Sequence, residues 1–140
     1  MKSLGPRASV GARILMAVAA LSFAVASLIH FGVDVPLGFT TVRDPFDGAA
    51  PPEAVIGAVM AIGAVFGRHR GVALGVTVFA TLGTVLGLTI TVASGRTGDI
   101  AYHVSILGTL VVIIALLIRT GRRTPPAERD RERRASPSRG

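Results

Sequence analysis

The stretch ILMAVAALSFAVASLIHFGV, residues 14–33, decides the fold class of this protein. It contains no Lys, Arg, Asp or Glu, and its only ionisable side chain is His30, near its end. A helix of this length extends about 30 Å, which is the thickness of the hydrocarbon core of a bilayer. The stretch is therefore typical of a membrane-spanning helix.

Three more apolar stretches follow it, at residues 54–67, 72–94 and 100–118. The last two are long enough to span a bilayer, whereas the stretch 54–67 is too short at about 21 Å. It reaches a spanning length only if its helix begins at Pro51, because Pro is tolerated in the first turn. We therefore predict an all-α four-transmembrane-helix bundle, with helices over residues 14–33, 51–67, 72–94 and 100–118.

The composition agrees with one membrane domain. Half of the 140 residues are apolar, and the mean hydropathy is +0.61. The sequence has no Cys, which excludes disulfide frameworks, thiol redox relays, thiolate nucleophiles and zinc sites with Cys ligands.

The distribution of basic residues predicts the orientation, because Lys and Arg in short flanking segments stay on the cytoplasmic side. Of the 15 Lys and Arg residues, only Arg43 and Arg96 fall in the loops 34–52 and 95–99. The others lie in the segment 1–13, in the loop between the second and third helices, and after residue 118. We therefore predict that both termini are cytoplasmic and that the segment 1–13 is a cytoplasmic N-terminal segment.

Two alternatives concern the ends of the chain. The basic start, followed by apolar residues that include Ala24 and Ala26, also fits a cleaved secretory signal, although the apolar run continues past such a cleavage point. Residues 119–140 mix charge with Pro and Ser and lack apolar periodicity, so they are predicted to form a disordered cytoplasmic tail. This tail could contact anionic lipid headgroups. It lacks a folded basic face and aromatic platforms, so no nucleic-acid partner is predicted.

A polar cluster is predicted at the external end of the bundle. Membrane helices pack through small residues, and both His30 and Glu53 fall on the small-residue faces of their helices. Asp34 follows His30 by four residues, a spacing that lets a carboxylate meet the imidazole if the helix continues that far. We therefore predict that His30, Asp34 and Glu53 form one cluster.

His103 is treated separately, because the small residues of its helix lie on the opposite face. We expect it to face the lipid headgroups as an interfacial residue. The alternative is a ligand role, in which His30 and His103 hold a haem or share a metal ion with Glu53. No catalytic residue and no cofactor is predicted.

These features favour a small multi-pass membrane protein with a structural or accessory role and no catalytic activity of its own. The alternatives are a haem- or metal-binding redox protein and a small proton-coupled transporter that uses Glu53, because an acidic residue in a membrane helix is costly and often functional. The expected partners are the lipid bilayer and either another membrane protein or a second copy of the chain.

Three short segments carry a resemblance: LIHFGVDVP ends the first helix, PPEAVIGAV opens the second and GDIAYHVS opens the fourth. Over about residues 10–120 the chain resembles uncharacterised small four-helix integral membrane proteins of actinobacteria. The resemblance implies a bacterial plasma membrane location and implies no activity.

Overall fold

The computed structural model describes residues 7–122 as a bundle of four helices with one short β-hairpin. The helices are α1 (Val10–His30), α2 (Ala50–Phe66), α3 (Arg70–Ala93) and α4 (Thr97–Arg122). The strands β1 (Val35–Leu37) and β2 (Thr40–Val42) pair antiparallel in the loop after α1. The predicted helical fold with four helices is confirmed, and the hairpin is an addition that the sequence analysis did not predict.

Three of the described helices, α1, α3 and α4, are long and apolar enough to cross a membrane. The remaining helix, α2, is also apolar but has only 17 residues. Large apolar side chains such as Leu21, Phe66 and Leu82 are exposed on the outer surface of the bundle. An apolar surface of this extent suits a lipid environment and is rare on soluble monomers. The structure therefore supports a membrane-embedded protein.

Consecutive helices run antiparallel, so the two ends of the described chain lie at the same end of the bundle. Arg13 near the start of α1 donates to the carbonyl of Ala64 near the end of α2, at 2.8 Å. In the same way Arg70 at the start of α3 donates to the carbonyl of Leu117 near the end of α4, at 2.6 Å. Both guanidinium groups therefore bind carbonyls in the last turns of helices, where a positive charge is stabilised. We call this end of the bundle the basic end.

The core is built from α1 and α2 packed closely together, with α3 and α4 alongside. Phe23 and Met60 are fully buried between the helices. Gly57 on α2 permits the close approach, because a Cβ atom there would lie 3.2 Å from the Phe23 Cβ and 3.3 Å from the Ala20 carbonyl oxygen. Such contacts of small residues are the usual means of association between membrane helices.

The loop after α1 folds back over the end of that helix. Gly32 ends the helix in the left-handed region, at φ 79°, and Gly38 supplies a second positive φ in the turn of the hairpin. After the hairpin, the Phe46 N–H donates to the carbonyl of His30 at 2.8 Å. This returning segment therefore lies against the last turn of α1 and leads directly into α2.

The predicted boundaries differ from those observed mainly at α1 and α4. The helix α1 begins at Val10 and ends at His30, because Gly32 turns the chain, whereas the prediction was 14–33. The helix α4 continues to Arg122, four residues into the predicted tail. Residues 123–140 of that tail, and residues 1–6 of the N-terminal segment, lie outside the described residues.

Replacing Gly57 by Ile should destabilise the bundle, because the new side chain would meet Phe23 and the α1 backbone. We expect a loss of about 1 to 3 kcal/mol in the free energy of unfolding, the usual size for overpacking. The measurement is thermal or denaturant unfolding of the purified protein in detergent. Gly108→Ile is the matched control, since nothing lies within 4 Å of a Cβ at Gly108. Equal losses for both variants would contradict close packing at Gly57.

Candidate functional site

The candidate site lies at the end of the bundle opposite the basic end, where the last turn of α1 meets the first turns of α2 and α4. His30 is the last residue of α1, Glu53 lies in the first turn of α2, and Asp99 lies in the first turn of α4. The positive ends of two helix dipoles therefore face the two carboxylates, and the negative end of a third faces the imidazole. Each charge sits at the helix end that stabilises it.

The most deeply buried contact in the site joins His30 to Glu53. The His30 Nδ1 atom lies 2.7 Å from the Glu53 Oε2 atom, and the two residues are only 3% and 4% exposed. The distance is that of a charge-assisted hydrogen bond, in which the imidazole donates and the carboxylate accepts. This buried pair ties α1 to α2.

The other imidazole nitrogen of His30 faces Asp99. The His30 Nε2 atom lies 3.5 Å from Asp99 Oδ1. Both ring nitrogens therefore face carboxylate oxygens, and only the imidazolium cation carries an N–H on both nitrogens. The geometry is that of a protonated histidine held between two carboxylates, and it adds α4 to the helices joined at this end.

Asp99 also contacts Arg96, whose guanidinium group contacts the carboxylates of both Asp99 and Asp44. The hydrogen bond to Asp99 raises the pKa of Arg96 above its usual range, so the guanidinium stays charged. Arg96 also lies over the ring of Phe46, with its central carbon 4.5 Å from the ring centroid. These contacts fix the segment between the hairpin and α2 against the start of α4.

The five ionisable side chains form a series of alternating charge, which we call the ionic chain: Glu53, His30, Asp99, Arg96 and Asp44. It begins inside the bundle at Glu53 and ends at Asp44, whose side chain is 51% exposed. With His30 protonated, three carboxylates face two cations. The ionic chain therefore carries one uncompensated negative charge.

The structure brings His30 and Glu53 together but leaves Asp34 out. Asp34 is exposed and lies beyond the end of α1, because Gly32 turns the chain two residues after His30. His30 and Asp34 are therefore not on one helix, and their four-residue spacing does not bring them together. Asp99 occupies the position beside the His30 imidazole that was predicted for Asp34.

The side chain of His103 lies inside the bundle, which differs from the expected contact with lipid headgroups. The residue is 5% exposed and packs against Gly87 of α3, where a Cβ atom would lie 2.4 Å from the His103 Nε2 atom. Its Nδ1 atom lies 2.8 Å from the Asp99 carbonyl oxygen. The expectation failed because it considered only the small residues on α4, whereas the small residue that accommodates His103 is a glycine on α3.

A cavity of about 100 Å³ lies beside the ionic chain. Glu53, His30, Asp99 and His103 are its ionisable lining residues, and most of the remaining lining is apolar. The second carboxylate oxygen of Glu53, Oε1, is buried and has no hydrogen-bond partner among the described residues. A buried carboxylate oxygen without a donor is costly, so this atom marks the part of the site that the protein leaves unsatisfied.

Three of the clustered side chains have the spacing of metal ligands. One ring nitrogen of His30 and one carboxylate oxygen each from Asp44 and Asp99 lie within 4.8 Å of one another. Arg96, however, contacts both carboxylates and supplies a positive charge at that point. The guanidinium therefore supplies the positive charge that a metal ion would supply there.

Sequence reasoning missed Asp44, Arg96 and Asp99 as members of the site. One local signal was present, since Arg96 and Asp99 are three residues apart at the start of a helix and can pair there. Asp44 carried no such signal. Its position depends on how the loop folds back over α1, which helical periodicity does not describe.

The contact between His30 and Glu53 can be tested by a double-mutant cycle. Glu53→Ala should lower the free energy of unfolding by about 3 to 5 kcal/mol, because it leaves the buried His30 without its closest partner. His30→Ala should add little to this loss, since the shared interaction is already gone. The measurement is denaturant unfolding in detergent, with Asp34→Ala as the exposed control at the same end. Additive losses would show that the two side chains do not interact.

Comparisons with protein-family models, with curated proteins and with solved structures find no match to this chain. The evidence for the role of the site is therefore its own geometry. That geometry consists of an ionic chain with a buried inner end, a small cavity and one carboxylate oxygen that has no partner among the described residues.

Proposed function

We propose that this chain is a small multi-pass protein of a bacterial plasma membrane, with a structural or accessory role and no catalytic activity of its own. The observation that carries the proposal is the ionic chain, in which contacts between opposite charges join α1 to α2 and α4, and join the loop after the hairpin to the start of α4. Such an arrangement holds helices in register. Within it, the imidazole of His30 is held at both nitrogens by carboxylates, which does not suit a general base.

The proposed orientation has four membrane-spanning helices and both termini in the cytoplasm. It is supported by the position of the basic residues, because Arg13, Arg68 and Arg70 lie at one end of the bundle. The carboxylates of the ionic chain lie at the other end. This separation matches the preference of basic residues for the cytoplasmic side. The fourth span is the short helix α2, which packs against α1 and α3.

The partners that we propose are the lipid bilayer and either another membrane protein or a second copy of this chain. The outer face of the bundle supports this proposal, since large apolar side chains cover it. The basic end would adjoin the anionic headgroups of the cytoplasmic leaflet.

A proton-coupled transporter that uses Glu53 is the second candidate function. One observation favours it: the Glu53 carboxylate is buried in the bundle, lines a cavity and has one oxygen with no hydrogen-bond partner in the part of the chain that the structure describes. Ionisable residues inside membrane bundles often mark ion or proton pathways. The same carboxylate is also tied to His30, however, and a clamp between helices is the simpler role for that contact.

A haem protein has less support from the geometry. His30 and His103 line the same cavity, but its volume of about 100 Å³ is well below the roughly 300 Å³ at which pockets for small molecules begin. In addition, both nitrogens of His30 already face carboxylates.

The orientation can be tested with reporter fusions. An alkaline phosphatase fused after Gly140 should be inactive, because the enzyme is active only outside the cytoplasm. A phosphatase inserted after Gly38 at the tip of the hairpin should be active. Strong activity of the fusion after Gly140 would contradict the proposed orientation.

The function classes can be separated with purified protein. For the structural or accessory role we expect no visible absorbance, no stoichiometric metal by elemental analysis and no proton-coupled uptake in proteoliposomes. A Soret band that disappears in His30→Ala would replace the proposal with the redox alternative. Substrate uptake driven by a proton gradient and abolished by Glu53→Gln would replace it with the transporter. Asp34→Asn is the matched control, since it removes an exposed carboxylate at the same end.

A further inference from the structure

The cavity beside the ionic chain is lined by two side-chain atoms that can accept hydrogen bonds and have no donor within residues 7–122. The first is the Glu53 Oε1 atom, which is buried and without a partner. The second is the Nε2 atom of His103. Because the Nδ1 atom of His103 lies 2.8 Å from a carbonyl oxygen, which can only accept, Nδ1 is the donor in that contact, and Nε2 is an acceptor in the tautomer whose single proton is on Nδ1. The polar part of the cavity therefore offers acceptors to a ligand.

The hydroxyl groups that line the cavity do not supply the missing donor. Thr84 and Thr91 donate to the carbonyls of Ala80 and Gly87, one helical turn earlier on α3. Their hydroxyl protons are therefore already used in hydrogen bonds within α3, as is common for Thr in membrane helices. Neither Thr hydroxyl is therefore available to Glu53 Oε1. The Tyr102 hydroxyl, which is also buried and has no partner among the described residues, is not among the lining residues of the cavity.

The charge of the site determines the sign of the charge on a ligand bound there. The ionic chain carries one negative charge in excess, and its inner end is the buried Glu53, far from the solvent that screens Asp44. A monovalent cation at Glu53 Oε1 would neutralise the net charge of the ionic chain. A divalent ion would leave an excess of positive charge in a site whose other lining is mostly apolar.

The size and the apolar lining narrow the ligand further. A volume of about 100 Å³ exceeds the space for one water molecule, which needs only roughly 10 to 15 Å³ by the same measure. Phe23, Ile56, Leu86 and Ile90 are among the apolar residues that line the cavity. A short alkyl group would contact these side chains, and an N–H donor at its end would reach the polar part.

We propose that this cavity binds a small protonated primary amine, from the ammonium ion to a short alkylammonium, through Glu53 Oε1 and His103 Nε2. The Glu53 carboxylate supplies the charge-assisted hydrogen bond, and the His103 imidazole accepts a second N–H. This binding site goes beyond the proposed structural or accessory role and does not depend on transport.

The proposal can be tested by calorimetric titration of the full chain in detergent with methylammonium chloride. Tetramethylammonium and sodium chloride are the matched controls, because they have the same charge but no N–H donor. We expect saturable binding of methylammonium alone. Glu53→Gln should weaken it about tenfold to hundredfold, the effect of losing one hydrogen bond to a charged group. Asp34→Asn should leave it unchanged.

A second variant keeps the test decisive if Glu53→Gln unfolds. Gly87→Ala leaves every member of the ionic chain in place, but its Cβ atom would displace the His103 imidazole. It should weaken methylammonium binding while His30 and Glu53 remain paired. The proposal is overturned if methylammonium does not bind, if tetramethylammonium or sodium binds equally well, or if both variants bind like the original protein. Binding of Zn²⁺ without binding of methylammonium would replace it with a metal site.

Discussion

The buried carboxylate of Glu53 is the constraint on which the outer end of the bundle depends. A carboxylate that is 4% exposed has lost most of its hydration and must be stabilised by the protein. Three features provide this stabilisation: the N-terminal dipole of α2, the hydrogen bond from His30 and, through His30, the rest of the ionic chain. The positions of α1, α2 and α4 at this end follow from that need, since each contributes a charged residue from its terminal turn.

The helices are joined in different ways at the two ends of the bundle. At the basic end, arginines bind carbonyls in the last turns of neighbouring helices, so each cation is satisfied by backbone dipoles. At the other end, side chains of opposite charge bind one another. The first arrangement leaves no excess of negative charge to be balanced. The second has an odd number of members with a carboxylate at each end, and its inner carboxylate borders a cavity.

The sequence predicted the helices well, because apolar length and charge distribution depend on local composition. It also predicted that His30 and Glu53 lie on packing faces, because helical periodicity determines which side of a helix a residue occupies. The hairpin and the positions of Asp34 and Asp44 depend instead on two glycines with positive φ, at Gly32 and Gly38. The burial of His103 depends on Gly87 of another helix. Contacts of this kind join residues distant in the chain, and a single sequence does not encode them in a local pattern.

The length of α2 links the proposed orientation to the cost of burying Glu53. Its 17 residues extend about 25 Å, which is less than the roughly 30 Å of the hydrocarbon core. Arg13 fixes the end of α2 at the basic end of the bundle, by binding the carbonyls of Ala64 and Val65. In the proposed orientation that end lies at the cytoplasmic surface, so the first turn of α2 would stop short of the opposite surface. Glu53 would then lie at a depth where water does not hydrate it fully, and the loop that carries Asp44 and Phe46 folds back over the end of α1. In that orientation the short length of α2 would account for the depth of Glu53, and the ionic chain supplies the positive charge that a carboxylate at this depth needs.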